Sequence, residues 1–173
     1  MVVTPAACAA RGSDIAREYI ASVTLAQGQF CTKPGLLFLP AGHGREEELR
    51  RAIAAAPAAP LLGSWISNAY HTTLKELAGH PAMRTLHLAD EPDDPRASSP
   101  ALLTATAENL RTSLELLREC FGPASLVVTY TTTEDLLEAL DTLPVASRQP
   151  FKARNRTRQI SFTALWPGCG LDA

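Results

Sequence analysis

The chain is 173 residues long, with 46% hydrophobic and 20% charged residues and a formal net charge of −2. Those proportions fit one globular domain and exclude a disordered or collagen-like chain. No apolar run reaches the ~18 residues of a membrane span, and Met1-Val2-Val3-Thr4-Pro5 opens without the basic and apolar regions of an export signal, so a cytoplasmic protein is expected.

Residues 12–26 predict an amphipathic helix capped by Gly12 or Ser13, with Asp14 in its first turn and Ile15, Tyr19, Ile20 and Val23 on its apolar face. Residues 27–35 form a loop with two glycines and a proline, and 36–39 a fully apolar strand closed by Pro40. Residues 44–56 predict a helix with Glu46–Arg50 and Glu47–Arg51 pairs on its wet face. A helix over 67–78 capped by Ser67 or Asn68, a strand over 85–89 and an acidic, proline-rich loop over 90–100 come next. Leu110, Leu114 and Leu117 give 107–119 a helical period. Residues 125–130 read as a second buried strand, and 133–143 as a helix with Glu134 and Asp135 in its first turn. Helices alternating with apolar strands predict an α/β domain with helices layered on a mostly parallel sheet.

Charge is spread unevenly. Residues 1–144 hold 11 Lys/Arg against 17 Asp/Glu, a balance of −6, while 145–173 hold 5 Lys/Arg and one acid, Asp172, a balance of +4. An acidic body gives nucleic acid no electrostatic footing. Beyond Pro144 neither the strand period nor the helical period persists, so a body over 1–144 is expected to be followed by an unstructured tail over 145–173.

Four cysteines, Cys8, Cys31, Cys120 and Cys169, lie too far apart for a C-x-x-C metal or redox site, and the reading is reduced thiols, mostly buried. His43, His71, His80 and His87 have no metal-ligand spacing, and Ser64 and Ser67 lack a G-x-S-x-G setting. Trp65 and Trp166 read as packing residues. Cys31 is different in its setting. It lies between a helix and a buried strand, flanked by glycines that let backbone N–H groups approach a ligand. Such a thiol serves as a nucleophile where its surroundings favour thiolate, and as a buried structural thiol where they do not.

The words around it narrow the choice. Gly28-Gln29-Phe30-Cys31-Thr32-Lys33-Pro34-Gly35 resembles the nucleophile segment of aldehyde dehydrogenases, in the form found in the branch of α-ketoglutaric semialdehyde and NADP-dependent fatty aldehyde enzymes. Glu119-Cys120-Phe121-Gly122-Pro123, followed by an apolar strand, resembles the same superfamily's E-x-F-G-P motif, about ninety residues downstream. The resemblance spans roughly residues 1–143 and implies the middle of a catalytic domain. It implies Cys31 as the thiol that attacks the aldehyde, with its own N–H as one oxyanion donor. It implies Glu119 as the holder of the nicotinamide ribose and Phe121 as the aromatic beside the nicotinamide. NAD or NADP would be the cofactor, a small aldehyde the substrate, and a homo-oligomer the family's assembly.

The family's general base, oxyanion asparagine and dinucleotide domain stand further upstream of the nucleophile than the residues that precede Cys31 here. No G-x-G-x-x-G loop is present. These 173 residues are therefore expected to be inactive alone and to bind no cofactor by themselves. A non-catalytic remnant and one half of a split enzyme are the alternatives. The tail reads as frameshifted text, with a basic tail for an acidic partner as the alternative.

Overall fold

The computed structural model describes residues 1–90, 92, 94 and 96–143. The tail over 145–173 lies outside the described residues.

Helix α1 spans Pro5–Thr24. It starts earlier than the apolar period indicates, because Thr4 caps it, its hydroxyl accepting from the Ala7 N–H at 3.3 Å, and Pro5 fits the first helical position. Gly12 and Ser13 are therefore interior, near a kink at Arg11, where φ is −138°. Cys8, Gly12, Ala16 and Ile20 repeat every fourth residue on the buried face. Strand β1 is Leu36–Pro40 and helix α2 is Glu46–Ala54. On α2, Arg50 and Arg51 both turn to Glu47, and Glu46 instead reaches Arg84 across the surface at 2.7 Å.

A short strand, β2 (Ala59–Pro60), leads to α3, Ser64–Ala78. Ser67 is not its cap; it lies fully buried one turn inside. Trp65 is not a packing residue, since 74% of its surface is exposed. Strand β3 is Arg84–Leu88, β4 is Ala97–Ser98, and β5 is Ala101–Thr106. The helical period over 107–119 breaks at Ser113 into α4 (Ala107–Thr112) and a 3₁₀ turn, Leu114–Leu117. Strand β6 is Ala124–Tyr130, and α5 is Thr133–Asp141, capped by the Thr132 hydroxyl.

The main sheet has the order β1-β6-β5-β3. The β1–β6 and β6–β5 pairs are parallel and β5–β3 is antiparallel. Strand β6 lies between β1 and β5, so it has no free edge, and it is buried except at Thr129. Backbone bonds from Met1 and Val3 to Leu36 and Phe38 cover part of the outer edge of β1. The strands look uniformly apolar because both faces are covered, yet the period of two is present. Phe38, Leu103, Leu126 and Val128 face one core with α3, α4 and α5, while Leu37, Leu39, Leu102 and Val127 face the other with α1 and α2. Helices thus cover both faces of a mostly parallel sheet.

Candidate active site

Two loops meet at one end of this sheet. The first leaves α1 through a left-handed turn: Ala26, Gln27 and Gly28 have φ of 48°, 56° and 64°. Three successive residues in that region reverse the chain within one turn, at a conformational cost for the two that are not glycine. Gln29 then braces the loop. Its side-chain amide donates to the Ala26 carbonyl at 3.2 Å, and its carbonyl accepts from the Leu62 N–H at 2.8 Å.

The second loop runs from the 3₁₀ turn into β6 and carries Glu119–Pro123. A methyl group placed on Gly28 would fall 2.2 Å from the Gly122 carbonyl oxygen, and one on Gly122 would fall 2.4 Å from the Tyr70 ring. The two motif glycines therefore allow backbone to lie on backbone, with the Tyr70 ring beneath. The φ of Gly122, 146°, adds a second reason for glycine there.

Side chains tie the loops further. The Lys33 ammonium donates to the Cys120 carbonyl at 3.0 Å and the Ala124 carbonyl at 2.9 Å. Burial holds the Lys33 pKa below the ordinary lysine range, against the pull of Cys120 and Glu119. The Tyr19 and Ser125 hydroxyls lie 2.5 Å apart and both approach the Pro34 carbonyl, at 3.2 and 3.3 Å. Burial raises the Tyr19 pKa, so the phenol stays protonated there. Arg118 pairs with Glu76 of α3 and anchors the second loop from its other side.

Within this frame Cys31 is exposed, whereas Cys8 and Cys120 are buried. Burial pushes the Cys120 thiol up to about 11, so it is a poor source of thiolate. The Cys31 N–H has no hydrogen-bond partner among the described residues, which leaves it free to donate to an oxyanion. Glu119 is exposed, and its carboxylate makes no hydrogen bond or ion pair among the described residues. Phe121 keeps 38% of its surface open rather than joining the core. Phe30, Leu62 and Trp65 are likewise open, at 52%, 84% and 74%. The roles of Lys33, Tyr19 and Ser125 in holding the loops are not visible in the sequence, since their partners are mostly carbonyls and lie far away along the chain.

The sequence is 33% identical over 146 residues to α-ketoglutaric semialdehyde dehydrogenase 2 of Azospirillum brasilense, a match covering 83% of this chain. The chain belongs to the aldehyde dehydrogenase superfamily. It spans 28% of the length of that relative. No protein-family model matches it. Among solved aldehyde dehydrogenases, the succinic semialdehyde dehydrogenase of Streptococcus pyogenes, in complex with NADP+, superposes with a TM-score of 0.64 at 15% identity, over 80% of this chain and 32% of that one. The methylmalonate-semialdehyde dehydrogenase of Oceanimonas doudoroffii gives 0.65 at 14% identity, over 82% and 31%. The fold is thus part of an aldehyde dehydrogenase catalytic domain. Among the described residues no helix is long and apolar enough to cross a membrane.

Proposed function

We propose that these residues form the thiol-bearing part of an NAD(P)-dependent aldehyde dehydrogenase that converts an aldehyde, with α-ketoglutaric semialdehyde as first candidate, to its acid. The observation that carries the reading is the close approach of Gly28 to Gly122, which joins the Cys31 loop to the Glu119–Phe121 loop. In the proposed reaction the Cys31 thiolate adds to the aldehyde carbon, forming a C–S bond and an alkoxide at the former carbonyl oxygen. The free Cys31 N–H donates to that oxygen. The chemistry a bound NAD(P)+ would supply is acceptance of the hydride, with Glu119 and Phe121 as the residues that would hold it. Loss of hydride from carbon leaves an acyl thioester on Cys31, and water cleaves it to the acid and the thiol.

The open carboxylate of Glu119 and the open ring of Phe121 fit a cofactor's ribose hydroxyls and flat nicotinamide, respectively. Both stand on the loop that Gly122 fixes against Gly28. The three cysteines that are free among the described residues suit a cytoplasmic setting, which is part of the proposal. The relative named after α-ketoglutaric semialdehyde motivates the substrate assignment.

An activated ester tests the thiol without any cofactor. With p-nitrophenyl acetate the protein is expected to release p-nitrophenolate and to carry the acetyl group on the Cys31 peptide. Acetyl transfer that ignores Cys31, or that survives Cys31→Ser unchanged, would overturn the reading. The tail beyond residue 144 is proposed to be frameshifted text. Its nucleotide sequence is expected to continue an aldehyde dehydrogenase in a second frame, and stop codons in that frame contradict this.

A further inference from the structure

We infer that Lys33 is a positioning residue, an ammonium latch that fixes the Glu119–Phe121 loop relative to Cys31. The inference rests on the function proposed above for its purpose, though its geometry stands apart from it. Lys33 lies two residues after Cys31, and its ammonium reaches the carbonyls of Cys120 and Ala124. Those two carbonyls bracket Phe121-Gly122-Pro123, so one side chain grips the second loop on both sides of its glycine. Each contact is a charge-assisted bond to a backbone acceptor, stronger than a neutral one.

Little else beneath this loop can replace the latch. Lys33 and Cys120 line a cavity of about 190 Å³ whose other walls are largely leucines, among them Leu74, Leu103 and Leu116. An apolar hollow on that side gives the Cys120 and Ala124 carbonyls no alternative donor of equal strength. The other polar side chains lining it are Arg118, already paired with Glu76, Glu119, an acceptor, and Ser125, whose hydroxyl is already engaged with Tyr19 and with the Pro34 and Gly35 carbonyls. Without the ammonium, the stretch between Cys120 and Ala124 would be left to the Gly28–Gly122 contact, the Tyr19–Ser125–Pro34 bonds and the Arg118–Glu76 pair, and Cys120, whose thiol donates to the Tyr70 carbonyl at 3.8 Å, would lose the bond that holds its own carbonyl.

Cys120 is therefore the reporter, and Cys8, buried in the opposite core, is the control. Full-length protein carrying Lys33→Met, which keeps the stem and loses the donors, is compared with Lys33→Arg by timed iodoacetamide labelling and peptide mass spectrometry. Lys33→Met is expected to speed Cys120 labelling by about tenfold, the scale set by losing bonds to a charged donor, with Cys8 unchanged. Lys33→Arg, which restores two donors, is expected to bring Cys120 back to near its original rate. Cys120 labelling that Lys33→Met does not alter would overturn the inference. Equal acceleration at Cys8 would do so too, because it would assign Lys33 to general stability. Neither readout depends on aldehyde chemistry, so failure here and failure of the proposed function are separate results.

Discussion

A thiol's chemistry depends first on whether it can be reached, and the three cysteines among the described residues divide on that count. Cys31 is open, Cys8 and Cys120 are buried at 4% and 8% exposure, and burial raises the Cys120 pKa to about 11. Limiting iodoacetamide is expected to modify Cys31 about a hundredfold faster than Cys8 or Cys120, since the buried pair must wait for local opening. Comparable rates at Cys8 and Cys31 would contradict the described burial. Cys120 also makes stability depend on pH. Its folded pKa lies above the ordinary thiol value of 9.0, so the fold favours the neutral thiol; that stabilisation is full below pH 9.0 and drains as pH rises to about 11. Tyr19 and Tyr70, also raised, push the same way further up, while Lys33, lowered, opposes them. Thermal melts of wild type and Cys120→Ala across that window isolate the cysteine. Wild type is expected to lose more, by at most about 2–3 kcal/mol, and parallel curves would contradict this.

At the scale of elements, the loop pair depends on two glycines. Gly28→Ala must hold φ near 64° and push the Gly122 carbonyl away, and Gly122→Ala must displace Tyr70. Each is expected to cost about 2–4 kcal/mol in urea unfolding. Gly35→Ala is the control, because nothing lies within 4 Å of its added methyl, and it is expected to change stability by less than about 0.5 kcal/mol. A cheap Gly28→Ala would mean that the loops are not in contact. The sequence announced these loops through their motif words and announced most elements through period and caps. It hid β5, Ala101–Thr106, because alanines and threonines without an alternating pattern do not mark a strand. Only pairing with β6 on one side and β3 on the other makes that segment one. The start of α1 was legible in Thr4-Pro5, but the stronger apolar period further along pointed to a later start. The Lys33 and Tyr19 contacts were not legible at all, because they join residues 87 and 106 positions away in sequence.

For the whole molecule, a four-stranded sheet with a core on each face gives residues 1–143 an interior of their own. The proposed catalytic cycle asks for more than an interior. A hydride acceptor must be held against the thiohemiacetal carbon, and that orientation can be worth ~7–11 kcal/mol of barrier. These residues correspond to 28% of the curated relative, and Glu119 and Phe121 are the two open side chains proposed to face the cofactor. The 173 residues by themselves are expected to form no NAD(P)H from α-ketoglutaric or succinic semialdehyde. Steady absorbance growth abolished by Cys31→Ala would show that they suffice.

Cys31 is proposed to be the group that meets the aldehyde, and competition at the thiol puts that role to the test. Purified protein is incubated with α-ketoglutaric semialdehyde and then labelled with limiting iodoacetamide, with glutathione as the reference thiol. The aldehyde is expected to slow Cys31 labelling well beyond the slowing seen for glutathione, with Cys8 and Cys120 unaffected. Protection of Cys31 equal to that of glutathione would leave only ordinary thiol–aldehyde chemistry and contradict the claim.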